Sequence, residues 1–148
     1  MTLFEQIDKD MIKALKGGDK LRLTVLRGLK SDLKYRRIDV GQDLTPEQEI
    51  EVLAGAAKKR RDSIEQFRLG GRDDLVQSET FELDVINSYL PKQLTEEELR
   101  QMAEAAIAEV GADSPKQMGA VMKVLMPKVK GRADGKLVNK IISELLAK

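Results

Sequence analysis

A chain of 148 residues with 41% apolar residues can bury a core as one domain or two small ones, and 3% aromatic with 34% charged residues favours helices packed by Leu, Ile, Val, Met and Ala over a β-sandwich. The absence of cysteine excludes a disulfide framework, a thiol nucleophile and a thiolate metal site, and the absence of histidine excludes the usual general base, the Ser-His and Cys-His nucleophiles and the HExxH zinc site. A net charge of +1 hides a segregation: residues 1–75 hold 16 basic and 14 acidic side chains, residues 76–115 hold 2 and 9, and residues 116–148 hold 8 and 2.

Thr2 and Glu5 have capping-box spacing, and Leu3, Phe4, Ile7, Met11 and Ile12 share one side, which predicts a first helix to about Lys16. The N-terminus mixes acids and bases and lacks the apolar core of a signal peptide, and no stretch approaches a membrane span, so the expectation is a cytoplasmic protein without a membrane partner. Gly17-Gly18 stops this helix. Asp19 caps a second, whose Val25, Leu26, Leu29 and Leu33 face inward. Beside that face Lys20, Arg27, Lys30, Lys34 and Arg37 fall within a sector of about 100°. This basic stripe is either a solvated surface or a secondary anion-binding face.

Thr45-Pro46-Glu47-Gln48 combines an N-cap, a proline at the first helical position and a capping-box glutamine. The third helix should bury Ile50, Leu53, Ala57, Ile64 and Phe67. Glu47, Glu49 and Glu51 near its start and Lys58 to Arg61 further along suit the helix dipole, which explains the glutamates better than a metal site does. Gly70-Gly71-Arg72-Asp73-Asp74, whose two glycines and arginine could hold an anion, reads better as a C-cap followed by an acidic N-cap, before a fourth helix through Leu75, Phe81, Leu83, Ile86 and Tyr89. Ser88 to Leu94 forms a joint, because proline disfavours helix at Leu90 and Thr95-Glu96-Glu97-Glu98 opens a new one. The boundary is placed there: an N-terminal part, 1–91, of about four helices, and a C-terminal part, 92–148, of about three.

The fifth helix carries Leu99, Met102, Ala103 and Ile107 to Gly111, and Ser114-Pro115 starts the sixth. Met118, Val121, Met122, Leu125 and Met126 form its buried face, and Pro127 is expected to end it. A seventh helix, entered through Asp134, buries Leu137, Val138, Ile141, Ile142 and Leu145. The connector Lys128-Val129-Lys130-Gly131-Arg132 carries three positive charges and no negative one, and Gly131 permits a sharp turn toward a ligand. The fold class is therefore all-α.

Gly131 to Leu137 is not a nucleotide-hydrolysing loop, since three residues rather than four separate its glycines and Leu137 stands where a hydroxyl is needed. Lys128, Lys130, Arg132, Lys136 and Lys140 nevertheless gather around a turn and a helix start, with Lys123 upstream, where cations and backbone N–H groups can meet phosphates. A solubilising loop is the alternative. No aromatic side chain lies among them, so any nucleic-acid contact should be to backbone and shape rather than by base stacking. No residues assemble into a catalytic, cofactor or metal site.

The segments SYLPKQL, MGAVMKVLMPKVKGRADGKLVNKII and GGRDDL closely resemble the YqeY-like proteins of bacteria, over essentially the whole chain. The part from about Leu94 to Lys148 is also similar to the C-terminal tail of one subunit of the tRNA-dependent Asp/Glu amidotransferases. The resemblance implies an all-helical two-part fold and a non-catalytic, tRNA-directed accessory role with tRNA as partner. It also implies Gly119 as a close-packing position, the cations from Lys128 to Lys140 as tRNA contacts, and Asn139 as a ribose contact or a local cap. Two alternatives accompany it: an adaptor docking on an aminoacyl-tRNA synthetase or amidotransferase, and carbon–nitrogen ligase activity with glutamine as amide donor. The second is a family label that belongs to the large enzyme, whose catalytic body this chain lacks.

Overall fold

A computed structural model describes residues 1–147, which form seven α-helices and one 3₁₀ turn in two compact units, Met1–Pro91 and Lys92–Lys148. The all-α expectation holds. No helix among the described residues is long and apolar enough to cross a membrane.

The first unit contains α1 (Leu3–Gly17), α2 (Lys20–Val40), α3 (Pro46–Leu69) and α4 (Asp73–Asn87). Capping boxes satisfy the N–H groups of Thr2 and Glu5 at the start of α1 and of Thr45 and Gln48 at the start of α3, and Asp19 accepts from the Arg22 N–H at 3.2 Å to start α2. Gly18 at φ 71° closes α1, a conformation that a side chain resists. Helix α1 packs on α2, and α3 on α4, around Ile7, Leu26, Leu33, Leu53 and Ile86, all at 0–1% exposure.

Two details of α4 depart from the sequence reading. Helix α4 begins at Asp73 with Arg72, not an aspartate, in the N-cap position; the Arg72 guanidinium instead donates to Asp74 at 3.2 and 3.3 Å, while the acids of the first turn face the helix dipole. Phe81, which the sequence groups with Ile86 and the following Tyr89, is exposed on α4 whereas those two are buried.

The second unit contains α5 (Glu96–Val110), the 3₁₀ turn Pro115–Gln117, α6 (Met118–Val129) and α7 (Gly135–Leu146). It has a core of its own, in which Leu99 and Ala103 of α5, Val121, Leu125 and Val129 of α6, and Val138, Ile141 and Ile142 of α7 are completely buried. Pro127 does not end α6. The helix continues through it to Val129, because a proline in the last turn removes one N–H and leaves the bond from Lys130 N–H to Met126 O intact at 2.9 Å. Gly119 is not a close-packing position either: it is exposed, and a Cβ there would meet nothing within 4 Å.

Candidate nucleic-acid interface

The basic connector of the second unit is built from α6 outward. Val129 is buried and its carbonyl accepts twice, from Arg132 N–H at 2.8 Å and Ala133 N–H at 3.1 Å, which folds the chain back at Gly131, φ 76°. Gly131 is itself buried, so its carbonyl needs a donor. Gln93 supplies it, with Nε2 at 2.8 Å. The neighbouring Leu94 N–H donates to the Arg132 carbonyl at 2.8 Å, and Arg132 Nε returns a bond to the Lys92 carbonyl at 3.3 Å. Residues 92–94 thus clasp the connector, whose glycine serves a fixed internal turn rather than an approach to a ligand.

This clasp changes the role of Arg132. Arg132 is half-buried as a residue and its Nε is bonded to main chain, so it braces the turn, and its charge lies near the start of α5. There the Glu98 carboxyl is held below the usual carboxylate range, first by the Thr95 backbone N–H and side chain, then by the charges of Lys92 and Arg132. The start of α7 is also occupied: the Asp134 carboxylate accepts from Lys136 N–H at 3.1 Å. An anion placed on those amides would meet a negative charge. Asp134 thus forms the cap that its place at the entry to α7 predicts, and the groups left here for an anion are the side-chain cations.

Those cations are set outward. Lys123, Lys128, Lys130, Lys136 and Lys140 are all exposed. Lys136 and Lys140 are one turn apart on α7. Lys128 reaches Glu109 on α5 at 3.6 Å, but both side chains are more than half exposed, and such a pair is weak and readily exchanged for another anion. Lys123 and Lys128 are five residues apart and so point about 140° from one another around α6. Lys123 therefore lies off the side that carries Lys128. Asn139 is exposed on α7.

The second-helix stripe is divided. Lys30 is paired with Asp8 of α1 and stands 5.5 Å over the Phe4 ring, which makes it a tie between α1 and α2. Arg37 pairs with Asp43 at 2.8 Å. Lys20, Arg27 and Lys34 are exposed and carry no ion pair among the described residues.

Sequence reasoning missed Gln93 and Glu109, because each acts on a residue far along the chain and neither stands in a local pattern. It also gave Glu49 to the dipole of its own helix. Glu49 is 3% exposed, and its carboxylate accepts from Phe4 N–H at 2.9 Å and Leu3 N–H at 3.4 Å, capping α1 rather than α3.

Compared with known proteins, the sequence matches the family described as "Yqey-like protein" over residues 4–146. It is similar to the protein named altered inheritance of mitochondria protein 41, mitochondrial, from several fungi. The Lachancea thermotolerans protein is 39% identical over 85 residues, covering 57% of this chain and 46% of the relative, and the Kluyveromyces lactis protein is 34% identical over 84 residues, covering 56% and 45%. The Pyrenophora tritici-repentis protein is 26% identical over 148 residues, covering 98% of this chain and 81% of its own length. The chain thus spans about half the length of the first two relatives. The expectation of a bacterial, cytoplasmic protein is overturned here, since these relatives are fungal and their names are mitochondrial.

Proposed function

The chain belongs to the YqeY-like protein family, and from that premise we propose that it is a non-catalytic tRNA-binding accessory module. Its second unit grips phosphates through Lys128, Lys130, Lys136 and Lys140, with Arg132 holding the turn between them. The observation that carries this reading is charge density on a fixed scaffold: 8 basic against 2 acidic residues from position 116 onward, with Lys128, Lys130, Lys136 and Lys140 exposed around a connector in which the Val129, Gly131 and Arg132 carbonyls are bonded within the unit. A turn that cannot collapse presents its charges without a large ordering cost on binding. Contacts of this kind fix position on a phosphate backbone and read shape rather than sequence.

The test is tRNA binding by the full chain across a salt series, beside a variant with Lys128, Lys130, Lys136 and Lys140 replaced by Glu. Because the curated relatives bear mitochondrial names, the tRNAs tested include a mitochondrial set. Each lost phosphate contact flattens the log–log slope by about 0.7 to 0.9. Binding that collapses in the variant supports the proposal. Absence of binding at low salt refutes it.

A further inference from the structure

The core of the first unit takes Leu23, Val25, Leu26, Leu29 and Leu33 from α2, which leaves the opposite side of this 21-residue helix to solvent. That side is not a polar surface. Leu21, Tyr35 and Ile38 stand on it 70%, 70% and 74% exposed, and the exposed Thr24, Gly28 and Ser31 occupy the positions between them. The six residues recur at alternating spacings of three and four and lie within a sector of about 100°. They are the a positions (21, 28, 35) and d positions (24, 31, 38) of a heptad seam that stays exposed among the described residues.

The charges beside the seam are ordered as well. On one flank Lys20, Arg27 and Lys34 recur every seven residues, and on the other Asp32 and Asp39 do. In a parallel pair of helices the residue preceding an a position lies beside the residue following a d position on the other strand, five places further on. Arg27 then meets Asp32 of a second copy, and Lys34 meets Asp39. Each contact occurs twice by symmetry. An antiparallel pairing would set the basic flank against itself, so the order of charges selects the parallel one.

Gly28 adds an independent reason. A glycine in the middle of an exposed helix weakens it, and nothing within 4 Å of a Cβ at this position requires its absence in a single chain. A second helix lying against the seam could approach most closely at this position. RNA is the less suitable occupant: Asp32 and Asp39 repel phosphates, and Lys30 and Arg37 of the stripe are already paired. We propose that the exposed face of α2 is a self-association surface, on which two copies of the chain pair in parallel.

The experiment is sedimentation equilibrium of the full chain between about 10 μM and about 1 mM, a range suited to one short helical seam. The mean mass should climb toward that of two chains. Lys34→Glu sets like charges against each other in both copies of that contact and should weaken the dimer roughly tenfold, whereas adding Asp39→Lys to the same chain restores attraction and should recover most of that loss. Gly28→Arg should hold the chain monomeric. All these positions are exposed, and an unchanged far-UV circular dichroism spectrum establishes that each variant folds. A monomeric mass throughout the range overturns the proposal, as does a dimer indifferent to Lys34→Glu and Gly28→Arg. A monomer that loses tRNA binding when Lys20, Arg27 and Lys34 are replaced by Glu also overturns it, and gives the stripe to RNA.

Discussion

Replacing Glu49 by Ala should destabilise the first unit by about 2–3 kcal/mol, a figure that follows from the contacts its carboxylate makes. The bond from Phe4 N–H, at 2.9 Å, has good length and a charged acceptor, which places it near about 2 kcal/mol; the bond from Leu3 N–H, at 3.4 Å, is long and counts for about half of that. The carboxylate also faces the positive end of α1, worth roughly a further 0.5 kcal/mol, while relief of its burial in the alanine variant offsets about as much. Without it the first two amides of α1 lose their acceptor in a place that water reaches poorly. Glu49→Gln keeps one acceptor oxygen and turns an N–H toward a donor, so it should cost about half as much. The assay is urea unfolding followed by tyrosine fluorescence. The chain has two tyrosines and no tryptophan, and Tyr35 and Tyr89 both lie in the first unit, so the signal reports that unit alone. The same loss should lower the thermal midpoint by roughly 10–20 °C. A Glu49→Ala variant within about 0.5 kcal/mol of the parent would show that α1 is held by its apolar face and that the carboxylate is incidental.

Three further outcomes are expected. Burial, then the hydrogen bond to Asp10, pushes the Tyr89 hydroxyl up to about 12. Its contribution to stability is therefore complete below the ordinary tyrosine value and is lost as pH rises through the folded value, and in a 295 nm absorbance titration Tyr89→Phe should remove the component that ionises last. Gln93→Leu should leave the Gly131 carbonyl without its side-chain donor and speed hydrogen exchange at the Arg132 and Ala133 amides by about fivefold, with helices α5 to α7 retained. Glu109→Gln should release Lys128 from its 3.6 Å pair and raise tRNA affinity by about twofold to fivefold at low salt, an effect that disappears when Lys128 is also replaced.

The features legible in the sequence are those whose causes lie within a few residues. Thr2 with Glu5, Thr45 with Gln48 and Thr95 with Glu98 each announce a helix start because both halves of the capping box sit within one turn, and all three boxes form. The seven helices and their apolar faces follow from the same short-range order. Pro127 misled because a proline's effect depends on its distance from the helix end, which sequence locates only to a few residues. Gly119 misled because resemblance supplied a packing role that the space around it does not require. Spacing grouped Lys20, Arg27, Lys30, Lys34 and Arg37 correctly by angle, yet it could not reveal that Asp8 and Asp43 would claim two of them. Partners separated by tens of residues leave no periodic trace, and the bonds from Gln93 to Gly131 and from Glu49 to α1 are both of this kind.

The clasp between residues 92–94 and the α6–α7 connector also decides where the second unit can be cut free. Judged by its helices, the unit begins at Thr95, and a fragment starting there would retain the capping box and every completely buried side chain of the core. It would nonetheless lose the Lys92 carbonyl that receives Arg132, the Gln93 amide that serves Gly131, and the Leu94 N–H that serves the Arg132 carbonyl. Such a fragment would fold around its apolar centre with a loosened basic turn, and an RNA-binding failure in it would say nothing about the intact chain. A fragment beginning at Lys92 carries these three attachments with it.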